Sequence, residues 1–318
     1  MVALERVLMG NESMGKLVRP LCPGISISQK GFGAATGGTL GCFVQDCDTN
    51  RIMLLSNMHV IQFFQPSGGF LGFGKKEGSD ALKNTIVQPC GIEIKNMAER
   101  TLGRDKLKVY NQGKGAEAKL LPSPTDLKEY YQTTVNGQID TLSELCSVAE
   151  YSRGYLEADF DAAVAELVPG TLWTNKTPDG TQILAPPDDF ALPIDGQVWK
   201  YGDASGAKKW GVLTANKKTM EVPFKTFQHD SNHFGAMASS GLFRSVPITF
   251  KDVLMVSGNS GGAFQIQGDS GSALCDDQNR LIGLMSTGGI GSTAYAISID
   301  RVFDRLGVRF PDTISGVA

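Results

Sequence analysis

Three short blocks of this 318-residue sequence hold side chains that could act together in nucleophilic catalysis. The first is Gly268-Asp269-Ser270-Gly271-Ser272-Ala273-Leu274. A nucleophilic serine has to stand on a tight turn that projects its Oγ while backbone amides face the substrate oxygen, and the flanking glycines allow the angles such a turn needs. Alone, the block is also an ordinary polar turn, because Gly, Asp and Ser are common turn residues. The second block is Leu54-Leu55-Ser56-Asn57-Met58-His59-Val60, in which a histidine follows an apolar run. The chain has three histidines, His59, His229 and His233, and the last two stand in a polar stretch that reads as a surface loop. A general base working near neutral pH is most often histidine. By itself His59 reads equally as a structural residue at a strand end. The third block runs from Asp159 through Phe160 and Asp161 to Ala162-Ala163-Val164-Ala165-Glu166-Leu167. A carboxylate that orients a histidine is buried beside it, so an Asp heading a small apolar strand has the expected form. Asp159 competes, but the apolar run begins directly after Asp161.

The blocks gain weight from their order, His then Asp then Ser, which is one of the three known orders of a catalytic triad. Between the Asp and the Ser, Pro169 to Pro193 is rich in Pro, Gly, Asp and Thr, and reads as a linker over 173–195. His and Asp then fall on one lobe and Ser on the other.

The elements that must position them read as β-strands. Charged residues make up 20% and hydrophobic ones 41%, as in an ordinary globular protein. The 38 glycines cluster between short apolar runs, which favours an all-β chain. Strands are predicted at Thr39–Val44, Arg51–Ser56, Thr85–Gln88, Lys106–Tyr110, Asp161–Val168, Gln197–Tyr201, Trp210–Thr214, Val253–Val256, Ser272–Cys275, Leu281–Ser286 and Thr293–Ile297. Residues Ile299, Val302, Phe303 and Leu306 have helical spacing, which predicts a C-terminal helix packed on the second lobe. A short helix is predicted over Ala3–Met9. The resulting division is an N-terminal arm over 1–30, a first lobe over 31–172 with an insertion over about 114–155, the linker, and a second lobe over 196–318 that ends in the helix.

A formal net charge of −3 argues against binding nucleic acid or an acidic membrane, which calls for a basic excess. No apolar stretch reaches the ~20 residues that span a bilayer. Met1 to Arg19 has no uninterrupted apolar core of ~7–15 residues like that of a signal peptide. The six cysteines (Cys22, Cys42, Cys47, Cys90, Cys146 and Cys275) include no CxxC pair, so no zinc site is suggested. A cytoplasmic protein with unpaired cysteines is expected. Cys42 and Cys47 flank a turn and are the first pair to check for a bridge.

Taken together, Gly38 to Gly41, Leu55 to Val60, Phe160 to Ala163 and Gly268 to Ser272 resemble the trypsin-like serine endopeptidases of the chymotrypsin fold, and most closely the bacterial and plant Narrow-leaf-like branch. The resemblance spans about residues 38–308 and rests on these short blocks, with no counterpart for 114–155 or 217–251. It implies two antiparallel β-barrels with a cleft between them, a triad of His59, Asp161 and Ser270, and an oxyanion hole from the amides of Gly268 and Ser270. No cofactor or metal is required. The substrate that the resemblance implies is a protein or peptide. Separately, an intracellular protease without an evident zymogen switch is expected to be controlled by a regulatory partner, self-association or an N-terminal block. The absence of an Ile-Val-Gly-Gly opening means that activation by a freed N-terminus, as in trypsin, is not implied. Gly258-Asn259-Ser260-Gly261-Gly262 resembles the active-serine motif of HtrA-like proteases, but Ser270 is preferred because a strand-turn-strand and Ser286-Thr287-Gly288-Gly289 follow it. By the same resemblance the pocket base is Phe264 and its walls are Thr287, Gly288 and Gly289, which predicts small or aliphatic residues before the scissile bond. The competing reading is a non-catalytic protein-binding module that retains the fold.

Overall fold

The computed structural model describes residues 17–30, 37–61, 85–98, 136–157, 160–187, 192, 194–227, 243–259, 262–288 and 292–318, with backbone alone for 136, 157, 216–227, 243–252 and 287–288. The expected helix at Ala3–Met9, the strand at Lys106–Tyr110, and Asp159, His229, His233, Ser260 and Gly289 lie outside the described residues.

Among the described residues the chain is mostly β and forms two lobes. The first is a curled antiparallel sheet built from β1 (Ser26–Gln29), β2 (Gly38–Thr39), β3 (Cys42–Asp46), β4 (Ile52–Ser56), β5 (Thr85–Val87), β6 (Ser147–Glu157) and β7 (Phe160–Leu167). β8 (Leu172–Thr174) follows, outside this sheet. The second lobe is a closed six-stranded barrel of β9 (Gln197–Gly202), β10 (Ala207–Phe227), β11 (Phe243–Gly258), β12 (Ala273–Asp276), β13 (Leu281–Gly288) and β14 (Thr293–Ser298). Three helices matter: α1 (Met58–Ile61), α2 (Asn136–Leu145) and α3 (Ile299–Leu306). Two short strands end the chain, β15 (Val308–Arg309) and β16 (Ser315–Val317).

This is the two-lobed all-β architecture that the resemblance implies. Among the described residues the first lobe is a curled half-barrel that runs β15-β3-β4-β7-β6-β5-β1-β2. Three expectations need correction. The stretch taken as an N-terminal arm ends in β1, and Leu21, Ile25 and Ile27 are buried in the first lobe. The stretch taken as an insertion ends in β6, which lies between β5 and β7. Residues 217–227 and 243–251, for which the resemblance has no counterpart, belong to the long β10–β11 pair. The second lobe does not end at the helix, since β15 pairs with β3 and β16 with β8. Charged residues hid β6 and the outer half of β10. Glu150, Arg153, Lys217, Lys218 and Lys225 break the apolar alternation on which a strand is recognised.

The core shows how the lobes are joined. Side chains of a strand turn alternately to its two faces. In β7, Phe160, Ala162 and Val164 face one cluster, while Ala163 and Ala165 face another. Met53 and Leu55 of β4 and Cys42 and Val44 of β3 join the first cluster. They meet Trp199, Cys275, Leu284 and Ile297 of the barrel and Ile299, Val302 and Leu306 of α3. So α3 packs into a core shared by both lobes and not on the second lobe alone. Its apolar residues recur every three or four positions and form one stripe, and its C-terminus closes at Gly307. Arg153 of β6 fastens that end by donating to the carbonyl of Leu306 at 2.6 Å and to Asp46 at 2.5 Å.

All six cysteines are free thiols in this structure. Cys42 lies in the shared core, whereas Cys47 is exposed on the turn after β3.

Leu306 is fully enclosed by both lobes. Leu306→Ala should lower unfolding free energy by about 2–5 kcal/mol, the usual cost of a cavity of that size. Chemical denaturation measures it, and a loss well under that range would mean that the lobes do not share this core.

Candidate active site

β4 ends at Ser56, and the chain turns at once into α1. The carbonyl of Asn57 accepts from the amides of Val60 and Ile61, both at 3.1 Å. The Asn57 side chain donates from Nδ2 to the carbonyl of Asp161 at 2.7 Å. One residue thus starts the turn that carries His59 and fastens it to the strand that carries Asp161. Nδ1 of His59 lies 2.5 Å from Oδ2 of Asp161, and its backbone amide donates to Oδ1 at 3.2 Å. The carboxylate is fully buried, while the imidazole is 29% exposed. A third donor reaches it from the other lobe: Ser286 Oγ on β13 donates to Oδ2 at 3.3 Å. Burial works to lower the pKa of His59, but the charge of Asp161 and the hydrogen bond to it outweigh burial, so the net shift is upward from 6.5.

The turn that carries Ser270 is pressed onto the same segment. Gly271 has φ +90°, and a Cβ there would lie 2.1 Å from Ser56 Oγ and 2.4 Å from the carbonyl of Thr39. Only glycine allows the serine turn to sit this close to the residues that lead into His59. Thr39 donates from its amide to the carbonyl of Ser270 and from Oγ1 to the carbonyl of Gly268, each at 2.8 Å. On the far side the amide of Gly271 donates to Met285 and the amide of Met285 donates to Ser272, both at 2.9 Å. The turn is therefore bonded to β2 of one lobe and to β13 of the other. Among the described residues neither the amide of Gly268 nor that of Ser270 donates to a backbone acceptor.

Behind the turn stands a buried ion pair that sequence patterns did not single out. Lys200 Nζ lies 2.5 Å from Asp269 Oδ2, and both side chains are fully buried. Asp269 also accepts from the Ser205 amide at 2.9 Å, from Ser205 Oγ and from the Ile266 amide at 3.1 Å. Burial works against this carboxylate, yet Lys200 and these donors hold it below the usual carboxylate range. Gly202 makes room for it, since a Cβ there would meet Asp269 Oδ1 at 2.2 Å. The available signal was a lysine in the middle of Val198-Trp199-Lys200-Tyr201, an otherwise apolar strand, because a buried lysine calls for a partner. Ser286 and Asn57 lie within the sequence blocks, but nothing in their local pattern marks them as partners of Asp161.

Of the expected pocket residues, Phe264 is the one placed differently. Phe264 is buried in the core of the barrel with Val198, Leu213, Leu254 and Met285, and does not form an open base. Its ring is already surrounded by apolar side chains, with Lys200 Nζ 5.7 Å from the centroid. Thr287 and Gly288 continue β13 and pair with Tyr295 and Ala294. Among the described residues no three His, Cys, Asp or Glu side chains are grouped so as to hold a metal ion.

No protein-family model matches the chain, and neither does any curated protein sequence. Among solved structures it is similar to a Nocardiopsis protease, at 11% identity over 91% of this chain and 97% of that one, with a TM-score of 0.47. It is also similar to Thermobifida fusca protease A, at 9% identity over 91% and 98% of the two chains, with a TM-score of 0.45. A glutamic acid-specific serine protease matches at 9% identity over 91% and 100%, with a TM-score of 0.46.

Lys200→Met keeps the length of the side chain but strands the Asp269 carboxylate in the interior. The expected loss is about 3–5 kcal/mol, read by urea denaturation. Lys200→Met with Asp269→Asn should be less destabilised than Lys200→Met alone, and a double variant that is worse would argue against the pair as the source of the loss.

Proposed function

We propose that the protein is a serine endopeptidase that cleaves peptide bonds through an acyl-enzyme intermediate. The observation that carries this reading is the 2.5 Å contact of His59 Nδ1 with a fully buried Asp161, made next to the turn that bears Ser270. In this reading Asp161 holds Nδ1 as the protonated nitrogen, which leaves Nε2 as a base toward the serine. Ser270 Oγ attacks the substrate carbonyl, its proton passes to His59, and Asp161 stabilises the imidazolium that forms. The amides of Gly268 and Ser270 receive the oxyanion. His59 then protonates the leaving amine, and a water activated by the same base releases the acyl group.

Two features support the assignment of the surrounding residues. Ser286 bonds the orienting carboxylate from across the cleft, so the His–Asp pair and the serine turn keep one geometry. Lys200 supplies from within the chain the cation beside Asp269, so ordering the oxyanion turn needs no newly freed amino terminus.

The base must be neutral to accept the serine proton. A histidine whose pKa is raised by Asp161 stays protonated to higher pH, so activity is lost as pH falls through that raised value. The acid limb of the kcat/KM profile should have its midpoint above 6.5. Asp161→Asn should remove the cause, move the midpoint down and lower kcat by about 10⁴-fold. A wild-type midpoint below 6.5 would contradict the role given to Asp161.

Ser270→Ala should abolish both peptide cleavage and labelling by a fluorophosphonate while leaving the fold intact. Ser260→Ala should leave substantial activity. The reverse pattern would transfer the nucleophile to Ser260, and no labelling of the wild type would favour a binding module.

A further inference from the structure

Thr39 is a fully buried polar residue in the two-residue strand β2. Its amide donates to the carbonyl of Ser270, and its carbonyl accepts from Ser56 Oγ, both at 2.8 Å. Its Oγ1 accepts from the amide of Asp203 at 3.1 Å and donates to the carbonyl of Gly268 at 2.8 Å. An amide N–H can only donate and a carbonyl can only accept, so the direction of both side-chain bonds is fixed. The single hydroxyl proton is committed to Gly268. The peptide it holds, Gly268–Asp269, lies between the two amides assigned to the oxyanion. The Gly268 amide belongs to the peptide before it and the Ser270 amide to the peptide after it, each one residue's dihedral pair away. At its other end the Asp269 amide donates to the carbonyl of Ile266 at 3.1 Å. Gly268 has φ +100°, and glycine opposes rotation less than any other residue. Without the Thr39 hydroxyl, this peptide would be held at one end only, next to the residue freest to turn. The connection between β9 and β10 serves the same turn twice: Asp203 orients the Thr39 hydroxyl, and Ser205 bonds the Asp269 side chain.

We propose that Thr39 is a positioning residue for the oxyanion hole. Its hydroxyl, supplied by the first lobe, fixes the Gly268–Asp269 peptide so that the amides of Gly268 and Ser270 converge on the reacting oxygen. This rests on the endopeptidase reading above. It makes the hole a joint product of the two lobes, although both of its donors belong to the second. Donors aimed in advance at a developing charge are worth more than donors that must reorient during the reaction. Loss of the hydroxyl therefore weakens the stabilisation of the oxyanion while His59 and Asp161 keep their contact.

The test compares Thr39→Val, which keeps the shape without the hydroxyl, with Thr39→Ser, which keeps the hydroxyl. The readout is the rate constant for labelling of Ser270 by a fluorophosphonate, whose phosphoryl oxygen takes the place of the oxyanion, followed as a function of pH. Thr39→Val should label about ten- to a hundredfold more slowly than wild type, short of the 10²–10³ that a whole oxyanion donor is worth. Its acid-limb midpoint should stay at the wild-type value, because the base and its carboxylate are unchanged. Thr39→Ser should label at close to the wild-type rate. On a peptide that the wild type cleaves, the loss in Thr39→Val should fall on kcat and leave KM nearly unchanged. Should Thr39→Val lack the circular dichroism spectrum of wild type, Thr39→Ala takes its place with the same expectation. Labelling at the wild-type rate without the hydroxyl overturns the proposal. So does a Thr39→Ser variant as slow as the hydroxyl-free one, or a shifted midpoint, which would mean action through His59 and Asp161. Those outcomes leave the endopeptidase reading standing, since the wild type still labels at Ser270. A wild type that does not label takes that reading down and this proposal with it.

Discussion

The rest of the site depends on one buried charge. Asp161 stands at the start of β7 with no solvent access, and an ionised carboxylate there is tolerable only if donors surround it. Those donors come from different parts of the fold. The His59 amide and imidazole come from α1, and the Ser286 hydroxyl comes from the barrel. A shift of one lobe against the other would strip a donor from Asp161, so the cost of leaving that carboxylate unpaired resists sliding of the lobes. The geometry of the cleft and the solvation of Asp161 are in this sense a single constraint.

The serine side is built on the same principle with a second buried carboxylate. Asp269 follows Gly268 and precedes Ser270, so whatever fixes its side chain fixes the turn. It is held by Lys200 and by two donors of Ser205, all near the end of β9, and by the Ile266 amide of its own turn. A buried ion pair is weak evidence for stability, since apolar residues often do as well. What it does provide is direction: a charged group with four donors has few orientations that satisfy all of them. In the proposed mechanism that is the property required of a turn whose amides point at the reacting oxygen.

How far this was legible in the sequence follows from the kind of signal each residue leaves. The strands β3, β4, β7, β9 and β12 to β14 were readable because at least one of their faces is apolar and turns bound them. His59 and Asp161 were readable because both sit where an apolar run begins or ends, and the structure brings them into contact. α1 was not, since one helical turn of four residues has no period to detect, and Met58-His59-Val60-Ile61 reads as the tail of a strand. β1 was missed for the opposite reason. Its Ser26 and Ser28 look like loop residues, yet both are buried; Ser26 donates to Glu93, and Ser28 accepts from the Gly91 amide. Lys200 lies beyond local pattern altogether, because the meaning of a buried polar group depends on partners 69 residues away.

The chain after Ser270 ties the two lobes together. β3, β4 and β7 already pack on Trp199, Cys275, Leu284 and Ile297 of the barrel, and α3 enlarges that shared core with Ile299, Val302 and Leu306. β15 then adds to the edge of β3, and β16 pairs with β8. Non-directional apolar burial does the holding on the back of the molecule, and it tolerates no particular angle better than a nearby one. The hydrogen bonds to Asp161 and Asp269 supply the angular choice that burial lacks. A cleft formed between two lobes needs both: a core large enough to keep them together, and a few buried charges that are satisfied in only one arrangement.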